Sequence, residues 1–203
     1  MTKNYLLPII LLFSIAFLSF NSHSKKNDVL KGKKTLILTP ENTTVHFTAY
    51  KTSDKIPVKG QFTESRTTLP ENASTPMEAL NGLQFKIPVS SLTTNNKIRD
   101  GKLKNSFFRA MLNTAYISGT ISIKNNSEGT VALTMNGVTT NLPIDIAVKD
   151  KTATIKGVVE LKNWDALNAL ASLNEACLLL HKGPDGVSKT WEDVAIEVTT
   201  TFE

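Results

Sequence analysis

Apolar and polar side chains alternate along most of this 203-residue chain. Between residues 44 and 49, for example, Val45, Phe47 and Ala49 alternate with polar residues. A period of two is typical of a β-strand with one buried and one exposed face. The same pattern recurs at residues 58–62, 83–89, 117–123, 131–135, 142–148, 153–161 and 194–202. About eight strands separated by turn-forming residues predict an all-β domain, either a sandwich or a barrel.

The segments between these strands carry signals of their own. Asn136-Gly137 separates two alternating segments, and this dipeptide favours the tight turn of a β-hairpin. Gly60 lies inside a strand, where a glycine often marks a bend or bulge. Residues 67–81 are polar and contain Pro70 and Pro76, which predicts a loop with neither a helix nor a central strand.

One late segment has helical spacing instead. In residues 163–180 the apolar side chains recur every three or four positions, which predicts an α-helix. Asn163 or Asp165 can cap its start by accepting a backbone N–H, and the Gly-Pro pair at 183–184 can end it. A shorter helical piece flanked by turns is expected within residues 92–105, which are too polar for a buried strand. A late helix in an all-β chain covers an open barrel end or packs on the outside.

The composition of residues 1–24 is that of a secretory signal peptide. Lys3 supplies positive charge, residues 5–20 are almost all apolar, and Ser22-His23-Ser24 offers small residues for cleavage. An uncleaved membrane anchor is the weaker alternative, because the apolar run is shorter than the ~20 residues of a membrane span and contains Pro8. We therefore expect an exported protein without stable membrane insertion after cleavage.

The remaining chain is predicted to form one domain at residues 36–203, preceded by a lysine-rich linker at residues 25–35. This length is normal for a single all-β domain. A hydrophobic content of 40% and a charged content of 20% are those of a globular protein. The many Asn, Thr and Ser residues therefore indicate strands and turns rather than disorder.

Charge gives no sign of a nucleic-acid partner. The 23 basic and 18 acidic residues leave a net charge of +5, which falls to +4 if residues 1–24 are removed together with Lys3. A nucleic-acid surface needs clustered Lys and Arg, whereas here they are scattered. Cys177 is the only cysteine, so no intramolecular disulfide can form. We expect it to act as a small buried apolar group, with a reactive nucleophile as the alternative.

Candidate catalytic residues are few. Once residues 1–24 are removed, His46 and His181 are the remaining histidines, and neither has Cys or acidic companions at metal-ligand spacing. We expect both to be surface histidines and predict no metal site. The chain contains no Gly-rich phosphate loop, GxSxG or HExxH motif. The prediction is a protein that is not an enzyme, although a hydrolase built on paired carboxylates stays open.

The inward face of the predicted strands carries the candidate binding site. Its side chains are apolar with few charges, so any enclosed ligand must itself be mostly apolar. The predicted lining residues are Phe47, Phe62, Phe85, Ile87, Val89, Phe107, Phe108, Ile117, Ile121, Leu133, Met135, Ile144, Ile146, Ile155, Val159, Ile196 and Val198. A core filled by its own side chains is the alternative, because the sequence does not report the width of the interior.

Four segments resemble the YceI-like family of exported bacterial proteins, and the resemblance as a whole spans roughly residues 43–202. They are VHFTAY-x(7)-VKGQF, LQFKIPVSSLTTNNKIRDGKLKNSFF, ISGTISI and VALTMNGVTTNLPIDIAV. The second is the most specific, since it joins a strand and a hydroxyl-rich turn to the Arg99-Asp100 pair and the Phe107-Phe108 pair. The chain departs from the family after the hairpin, where Asn141 stands in place of a common Arg.

The resemblance implies an extended, lipocalin-like antiparallel β-barrel that encloses a long isoprenoid chain, such as a polyprenyl phosphate or a quinone tail. It also implies a periplasmic or secreted bacterial protein. Arg99, with Lys97 and Lys102 nearby, would then face the polar head group of the ligand as charged donors. The alternative is that Arg99 and Asp100 pair with each other or cap a turn. Because of Asn141, a neutral quinone-like head is as compatible with the sequence as an anionic one.

We therefore predict that the protein binds or carries an apolar isoprenoid-type lipid, and that it has no cofactor other than such a bound isoprenoid or quinone. The alternative is a structural, stress-related or adhesion-related envelope protein of the same fold with a packed barrel. Residues 180–194 are predicted to be a connector whose Trp191 packs on the last strand, or else a gating loop at the barrel mouth. The sequence does not indicate the oligomeric state.

Overall fold

A computed structural model describes residues 35–203 of the chain. The predicted signal peptide at residues 1–24 and all but the last residue of the predicted linker at residues 25–35 lie outside the described residues, and both stay predictions. From residue 35 to the end of the chain, no helix is long and apolar enough to cross a lipid bilayer.

Ten strands and three α-helices make up the described part of the chain. The strands are β1 (Thr43–Lys51), β2 (Ile56–Phe62), β3 (Arg66–Thr68), β4 (Gln84–Pro88), β5 (Leu92–Thr93), β6 (Tyr116–Ile123), β7 (Glu128–Met135), β8 (Val138–Lys149), β9 (Thr152–Glu160) and β10 (Asp193–Thr201). The α-helices are α1 (Pro76–Leu80), α2 (Lys97–Lys102) and α3 (Leu167–Ala176). Short 3-10 turns occupy Pro40–Asn42, Val89–Ser91, Phe108–Ala110 and Leu161–Trp164, and a π-helical segment occupies Leu103–Phe107. All of the predicted strands are present, and the short strands β3 and β5 are additional.

The strands form one antiparallel sheet that curls into a barrel. Their order is β3-β4-β6-β7-β8-β9-β10-β1-β2-β5. The two ends of this sheet are joined covalently, because residues 63–65 lead from β2 to β3 and residues 89–91 lead from β4 to β5. A backbone hydrogen bond of 3.1 Å from the Thr63 N–H to the Ser91 carbonyl also links these two connections. The expected antiparallel barrel is therefore confirmed.

The two ends of the barrel are covered by different elements. The end of α1 lies beside the β6–β7 turn, where the Asn81 side-chain oxygen accepts a 3.1 Å hydrogen bond from the Ile123 N–H. At the opposite end lie α2, the π-helical segment and α3, and we call this the helical end. There the Lys102 ammonium group donates to the Ala176 carbonyl, which ties α2 to α3. The sequence left open whether the late helix covers a barrel end or packs on the outside. The structure shows that it covers one end.

Alternation along the strands divides the barrel into an inner and an outer face. In β7, Val131, Leu133 and Met135 are buried, whereas the residues between them are partly exposed. The register of β7 and β8 places Val131 opposite Leu142, which is also buried, so the buried rows continue around the barrel. Buried side chains of this size contribute about 1.5–3 kcal/mol each. A single core inside the barrel is therefore the main source of stability.

Gly60 makes room for an aromatic ring on the neighbouring strand. The β1–β2 ladder runs through Gly60 in continuous register, which pairs it with Phe47, so the strand has no bulge there. A Cβ atom at this position would lie only 2.3 Å from Cζ of the Phe47 ring. Of the expected bend or bulge, the bulge is therefore wrong, and the close approach of Phe47 is what requires glycine here.

The prediction of a plain loop at residues 67–81 is wrong, because the segment contains part of β3 and all of α1. Thr75 caps α1 by accepting a 3.2 Å hydrogen bond from the Glu78 N–H, and the Glu78 carboxylate accepts from the Ser74 N–H at 2.9 Å. Pro76 stands in the first turn of the helix, where a missing N–H costs nothing. Pro76, which argued against a helix in the sequence, is therefore the first residue of α1.

The late helix is shorter than the predicted segment of residues 163–180. Residues 161–164 form a 3-10 turn, and Asp165 has a left-handed φ of 52°, which separates that turn from α3. Neither Asn163 nor Asp165 caps α3; its N-cap position is Ala166, which makes no side-chain capping bond. The helix ends at Ala176, so the Gly-Pro pair at 183–184 does not terminate it.

The Asn136-Gly137 turn confirms the predicted hairpin and also holds the segment before α3. Both residues have positive φ values, 53° and 72°, as a two-residue hairpin of this kind requires. The Asn136 side-chain amide donates to the carbonyls of Trp164 and Asp165 at 2.9 and 3.1 Å. The Trp164 indole N–H in turn donates to the Leu133 carbonyl at 2.9 Å. These bonds fix the start of α3 over the barrel.

Candidate functional site: an apolar cavity inside the barrel

An apolar cavity of about 210 Å³ occupies the interior of the barrel. It is bounded by strands from all around the sheet and by elements at both ends. Fifteen of the seventeen residues predicted to line a tunnel line this cavity, namely Phe47, Phe62, Phe85, Ile87, Phe107, Phe108, Ile117, Ile121, Leu133, Met135, Ile144, Ile155, Val159, Ile196 and Val198. Their contact with a ligand stays a prediction.

Val89 and Ile146, the other two predicted residues, do not line the cavity, although both are buried in the core. Val89 lies in the 3-10 turn after β4, where its N–H donates to the Ala115 carbonyl at 3.1 Å. Ile146 lies in β8 close to Gly129, so its side chain fills the core beside the β6–β7 turn. Period-two alternation places a side chain on the inner face, but it does not say how far along the barrel the cavity extends.

Several lining residues come from the elements that cover the two ends of the barrel. At the end covered by α1, Leu38, Leu80 and Leu83 contribute apolar side chains. At the helical end, Leu170 and Leu173 of α3 do the same. The sequence pattern marks Leu170 and Leu173 as one face of a helix, but only the docking of α3 on the barrel turns that face towards the cavity.

Polar groups at the cavity wall are few, and most are already hydrogen-bonded. Thr43 and Thr200 share a hydrogen bond of 2.7 Å between their hydroxyl groups. Lys156 directs its ammonium group to the exposed Glu197 carboxylate at 3.3 Å. The buried Ser65 hydroxyl has no hydrogen-bond partner among residues 35–203. The wall is therefore suited to a hydrocarbon chain and offers no charged group to its interior.

Trp191 lies at the helical end and lines the cavity. Its backbone N–H donates to the Tyr50 carbonyl at 3.0 Å, and its indole N–H donates to the Thr52 carbonyl at 2.8 Å. The Lys189 ammonium group lies 3.6 Å from the centre of the Trp191 ring, a geometry that favours a cation–π interaction. Trp191 is therefore anchored to the turn after β1 and also forms part of the wall.

Arg99 and Asp100 cap the turn that precedes α2. The Arg99 guanidinium donates to the hydroxyl and the carbonyl of Thr94 at 2.8 and 3.0 Å. The Asp100 carboxylate accepts from the Thr94 N–H at 2.7 Å. Although burial acts to raise the pKa of Asp100, hydrogen bonds from Thr94 and Thr93 and the charge of Lys104 together hold this pKa below its ordinary value. The turn-capping alternative thus describes what these two side chains do.

None of the three predicted head-group residues, Arg99, Lys97 and Lys102, lines the cavity. Lys102 lies at the helical end, with its ammonium group on the Ala176 carbonyl. Lys51 also lies at this end, where its ammonium group donates to the Leu180 carbonyl at 3.2 Å. Contact of these groups with the head of a ligand stays a prediction.

The sequence suggested that His181 lies on the open surface. In the structure it is half-buried. Its Nδ1 atom is 2.7 Å from the Thr190 hydroxyl, which donates to the Asn174 side-chain oxygen at 2.9 Å. Burial, followed by the charges of Lys51 and Lys102, lowers the pKa of His181. His46 is exposed on β1, as expected.

Cys177 is buried, as expected, and burial raises the pKa of its thiol. A raised pKa disfavours the thiolate, which is the nucleophilic form of cysteine. Across residues 35–203, no group of three or more His, Cys, Asp and Glu side chains is placed to hold a metal ion.

The sequence profile of the YceI-like domain matches residues 37–202, which is nearly all of the described chain. The chain belongs to the YceI-like family. No curated protein matches the sequence. Among solved structures, this YceI-like chain is similar in fold to a polyisoprenoid-binding domain from Saccharophagus degradans implicated in plant cell wall breakdown. That pair has a TM-score of 0.62 and 10% identity, and the match covers 83% of this chain and 98% of the other.

BcnA from Burkholderia cenocepacia has the same fold, with a TM-score of 0.53 and 17% identity, and the match covers 81% of this chain and 100% of the other. At such low identities, the two structures show that the YceI-like fold is shared and nothing more. The fold-level expectation from the sequence is therefore confirmed by both comparisons.

Proposed function

We propose that this YceI-like protein binds an apolar isoprenoid-type lipid, such as a polyprenyl phosphate or a quinone tail, inside its barrel without catalysing a reaction. The observation that carries this proposal is the 210 Å³ cavity with an almost entirely apolar wall that reaches elements at both ends of the barrel. The similarity in fold to the polyisoprenoid-binding domain from S. degradans supports it by analogy. The predicted signal peptide at residues 1–24 supports a site of action in the bacterial envelope.

The energetics of such binding follow from the size of the cavity. Each buried CH₂ group contributes about 0.8 kcal/mol, so one five-carbon isoprene unit gains roughly 4 kcal/mol before ordering costs. A dry apolar cavity of about 150 Å³ is large enough to take up benzene, and this cavity is larger. Drug-sized ligands occupy pockets of about 300–1,000 Å³. The cavity therefore accepts a short hydrocarbon segment as it stands, and a longer tail enters with movement of the lining side chains.

The limited volume also favours a second candidate function. A structural, stress-related or adhesion-related envelope protein would use the same barrel as a packed core, and a small residual cavity is compatible with that use. The two functions differ in whether a lipid stays with the protein during purification.

Native mass spectrometry of the protein, purified under mild conditions from bacterial cells, separates these functions. We expect an adduct with the mass of an isoprenoid lipid, and its loss in a cavity-filling variant, Ile196→Trp, in which the larger ring occupies the interior. Val158→Trp is the matched control, because Val158 is exposed on the adjacent strand and points away from the cavity. Absence of any adduct from the wild-type protein, or an equal adduct in both variants, would contradict lipid binding in the barrel.

A further inference from the structure

Three consecutive leucines are exposed at the helical end of the barrel. Leu178, Leu179 and Leu180 have exposed fractions of 55%, 82% and 59%. They form a turn directly after α3, and we call residues 178–180 the leucine turn. The Leu180 N–H donates to the Cys177 carbonyl at 2.8 Å, so this turn has a defined backbone geometry. Contiguous exposed apolar side chains on a soluble fold usually mark an interaction site.

Basic side chains flank the leucine turn. Lys51 donates to the carbonyl of Leu180 at 3.2 Å, and Lys102 donates to the carbonyl of Ala176, so one ammonium group lies at each side of the turn. Neither lysine forms an ion pair with a carboxylate in the described chain. Lys182 follows two residues after the turn. The acidic residues nearest in sequence are Glu175 before the turn and Asp185 after it, and the Asp185 carboxylate accepts a hydrogen bond from the Ser53 hydroxyl. Lys51, Lys102 and Lys182 therefore outnumber the acidic residues around the turn.

A fourth apolar side chain extends this surface on the neighbouring helix. Ile98 of α2 is 76% exposed and lies one helical turn before Lys102. Residues four apart on a helix share a face, so Ile98 lies on the same side of α2 as the lysine that contacts α3. The combination of apolar side chains and cations is that of a surface that enters the headgroup region of a membrane.

The leucine turn is also close to the cavity. Leu170 and Leu173 line the cavity from α3, and the turn begins two residues after this helix ends. The neighbouring Thr190 and Trp191 line the cavity from the segment before β10. A membrane bound at the leucine turn would therefore lie at the cavity's helical end.

We propose that the leucine turn docks the helical end of the barrel on a lipid bilayer with anionic headgroups. The leucine side chains enter the interface between headgroups and acyl chains, and Lys51 and Lys102 contact the negative headgroups. This inference rests on the proposed function, because docking matters for a lipid-binding barrel: it gives the lipid chain a short path between the bilayer and the cavity. Apolar burial and attraction to anionic lipids add together in surfaces of this kind.

The test is flotation of the protein, in the processed form that cells accumulate, with vesicles of phosphatidylethanolamine and phosphatidylglycerol. We expect binding that falls at higher salt and that is weak on vesicles of phosphatidylcholine alone. Simultaneous Leu178→Ser, Leu179→Ser and Leu180→Ser should weaken binding by at least ~10-fold. Ile37→Ser is the matched control, because Ile37 is equally exposed, at 58%, but pairs with Glu203 at the opposite end of the barrel.

A charge variant tests the lysines separately. Lys51→Gln with Lys102→Gln should weaken binding to the anionic vesicles roughly 30-fold, since each lysine near such a surface contributes about 1 kcal/mol. Lys124→Gln with Lys149→Gln removes the same charge at the opposite end and should have a much smaller effect. Thermal unfolding is measured for every variant. A Tm equal to that of the wild-type protein would show that the fold is intact.

Three results would overturn the docking proposal. The first is equal vesicle binding by the wild-type protein and the leucine variant. The second is an equal loss in the Ile37→Ser control. The third is a wild-type dimer in analytical ultracentrifugation that the leucine variant converts to a monomer, without vesicle binding by either, which would assign the turn to a second copy of the chain. Native mass spectrometry separates these failures from failure of the proposed function, because the leucine variant should keep its lipid adduct.

Discussion

The contact between Gly60 and Phe47 yields a prediction whose size follows from the structure. In Gly60→Ala the added methyl carbon would lie 2.3 Å from Cζ and 2.7 Å from Cε1 of the Phe47 ring. Carbon atoms in contact are normally about 3.5–4.0 Å apart, so the ring must move by more than ~1 Å. Phe47 lines the cavity and lies with its ring centre 5.7 Å from that of Phe62. The ring is therefore expected to move into the cavity or against Phe62.

The expected cost is the balance of two effects. Overpacking of a core costs about 1–3 kcal/mol, whereas replacing glycine by alanine in an extended strand gains roughly 0.5–1 kcal/mol of backbone entropy. Gly60→Ala should therefore lower the free energy of unfolding by about 1–2 kcal/mol. For a domain of this size, such a loss corresponds to a decrease in Tm of roughly 2–8 °C. Urea unfolding followed by circular dichroism measures it.

A double-mutant cycle tests the cause of this destabilisation. In a Phe47→Leu background the clashing ring atoms are absent and the Thr94 Cγ2 atom, 2.9 Å from the added methyl carbon, is the remaining close contact, so adding Gly60→Ala should cost clearly less than it does in the wild-type protein. Gly101→Ala is the control, because a Cβ atom there meets nothing within 4 Å and Gly101 lies inside α2. That substitution should stabilise the protein by about 0.5–1 kcal/mol. The reasoning fails if Gly60→Ala is as well tolerated as Gly101→Ala, or if Phe47→Leu does not relieve its effect.

Two further predictions concern polar groups. Ser65→Ala should raise the free energy of unfolding by about 1 kcal/mol, because it removes a buried hydroxyl with no partner in the described chain. A lower free energy of unfolding, measured by urea denaturation, would contradict this. The pKa of Asp100 is lowered in the folded state, so its contribution to stability is present above the unfolded pKa of about 3.9 and is lost as the pH falls through the lower folded value. Asp100→Asn should therefore lower stability at pH 7 and reduce its decrease between about pH 4 and pH 2. Parallel acid unfolding curves for the two proteins would rule out this assignment.

The strands were predictable because each depends on a local pattern. A strand with one buried face needs an apolar residue at every second position, and that requirement is visible in the sequence around Val131 and Leu142. The Asn136-Gly137 hairpin was predictable for the same reason, since two consecutive positive φ values are tolerated by few residue pairs. The short strands β3 and β5 were not, because two or three residues carry too little periodicity.

Helix boundaries were less predictable because they depend on contacts as well as on residue type. Pro76 reads as a helix breaker until Thr75 and Glu78 are seen to cap the turn that contains it. The start of α3 is set by the left-handed Asp165 and by the bonds from the Asn136 side chain, which is 29 residues distant. A local pattern of apolar residues cannot predict a hydrogen bond between residues that are so far apart in the sequence.

The sequence by itself determined which side chains face inward and that these side chains are apolar, because strand geometry makes alternate residues share a face. Only the tertiary structure decided how much space those side chains leave, since a volume of 210 Å³ depends on ångström-scale packing between strands far apart in the chain. It also decided that Arg99 bonds to Thr94, that Val89 and Ile146 lie away from the cavity, and that Lys51 and Lys102 flank the same turn. Apart from the local bond between Arg99 and Thr94, these facts depend on how segments far apart in the chain meet in the folded barrel.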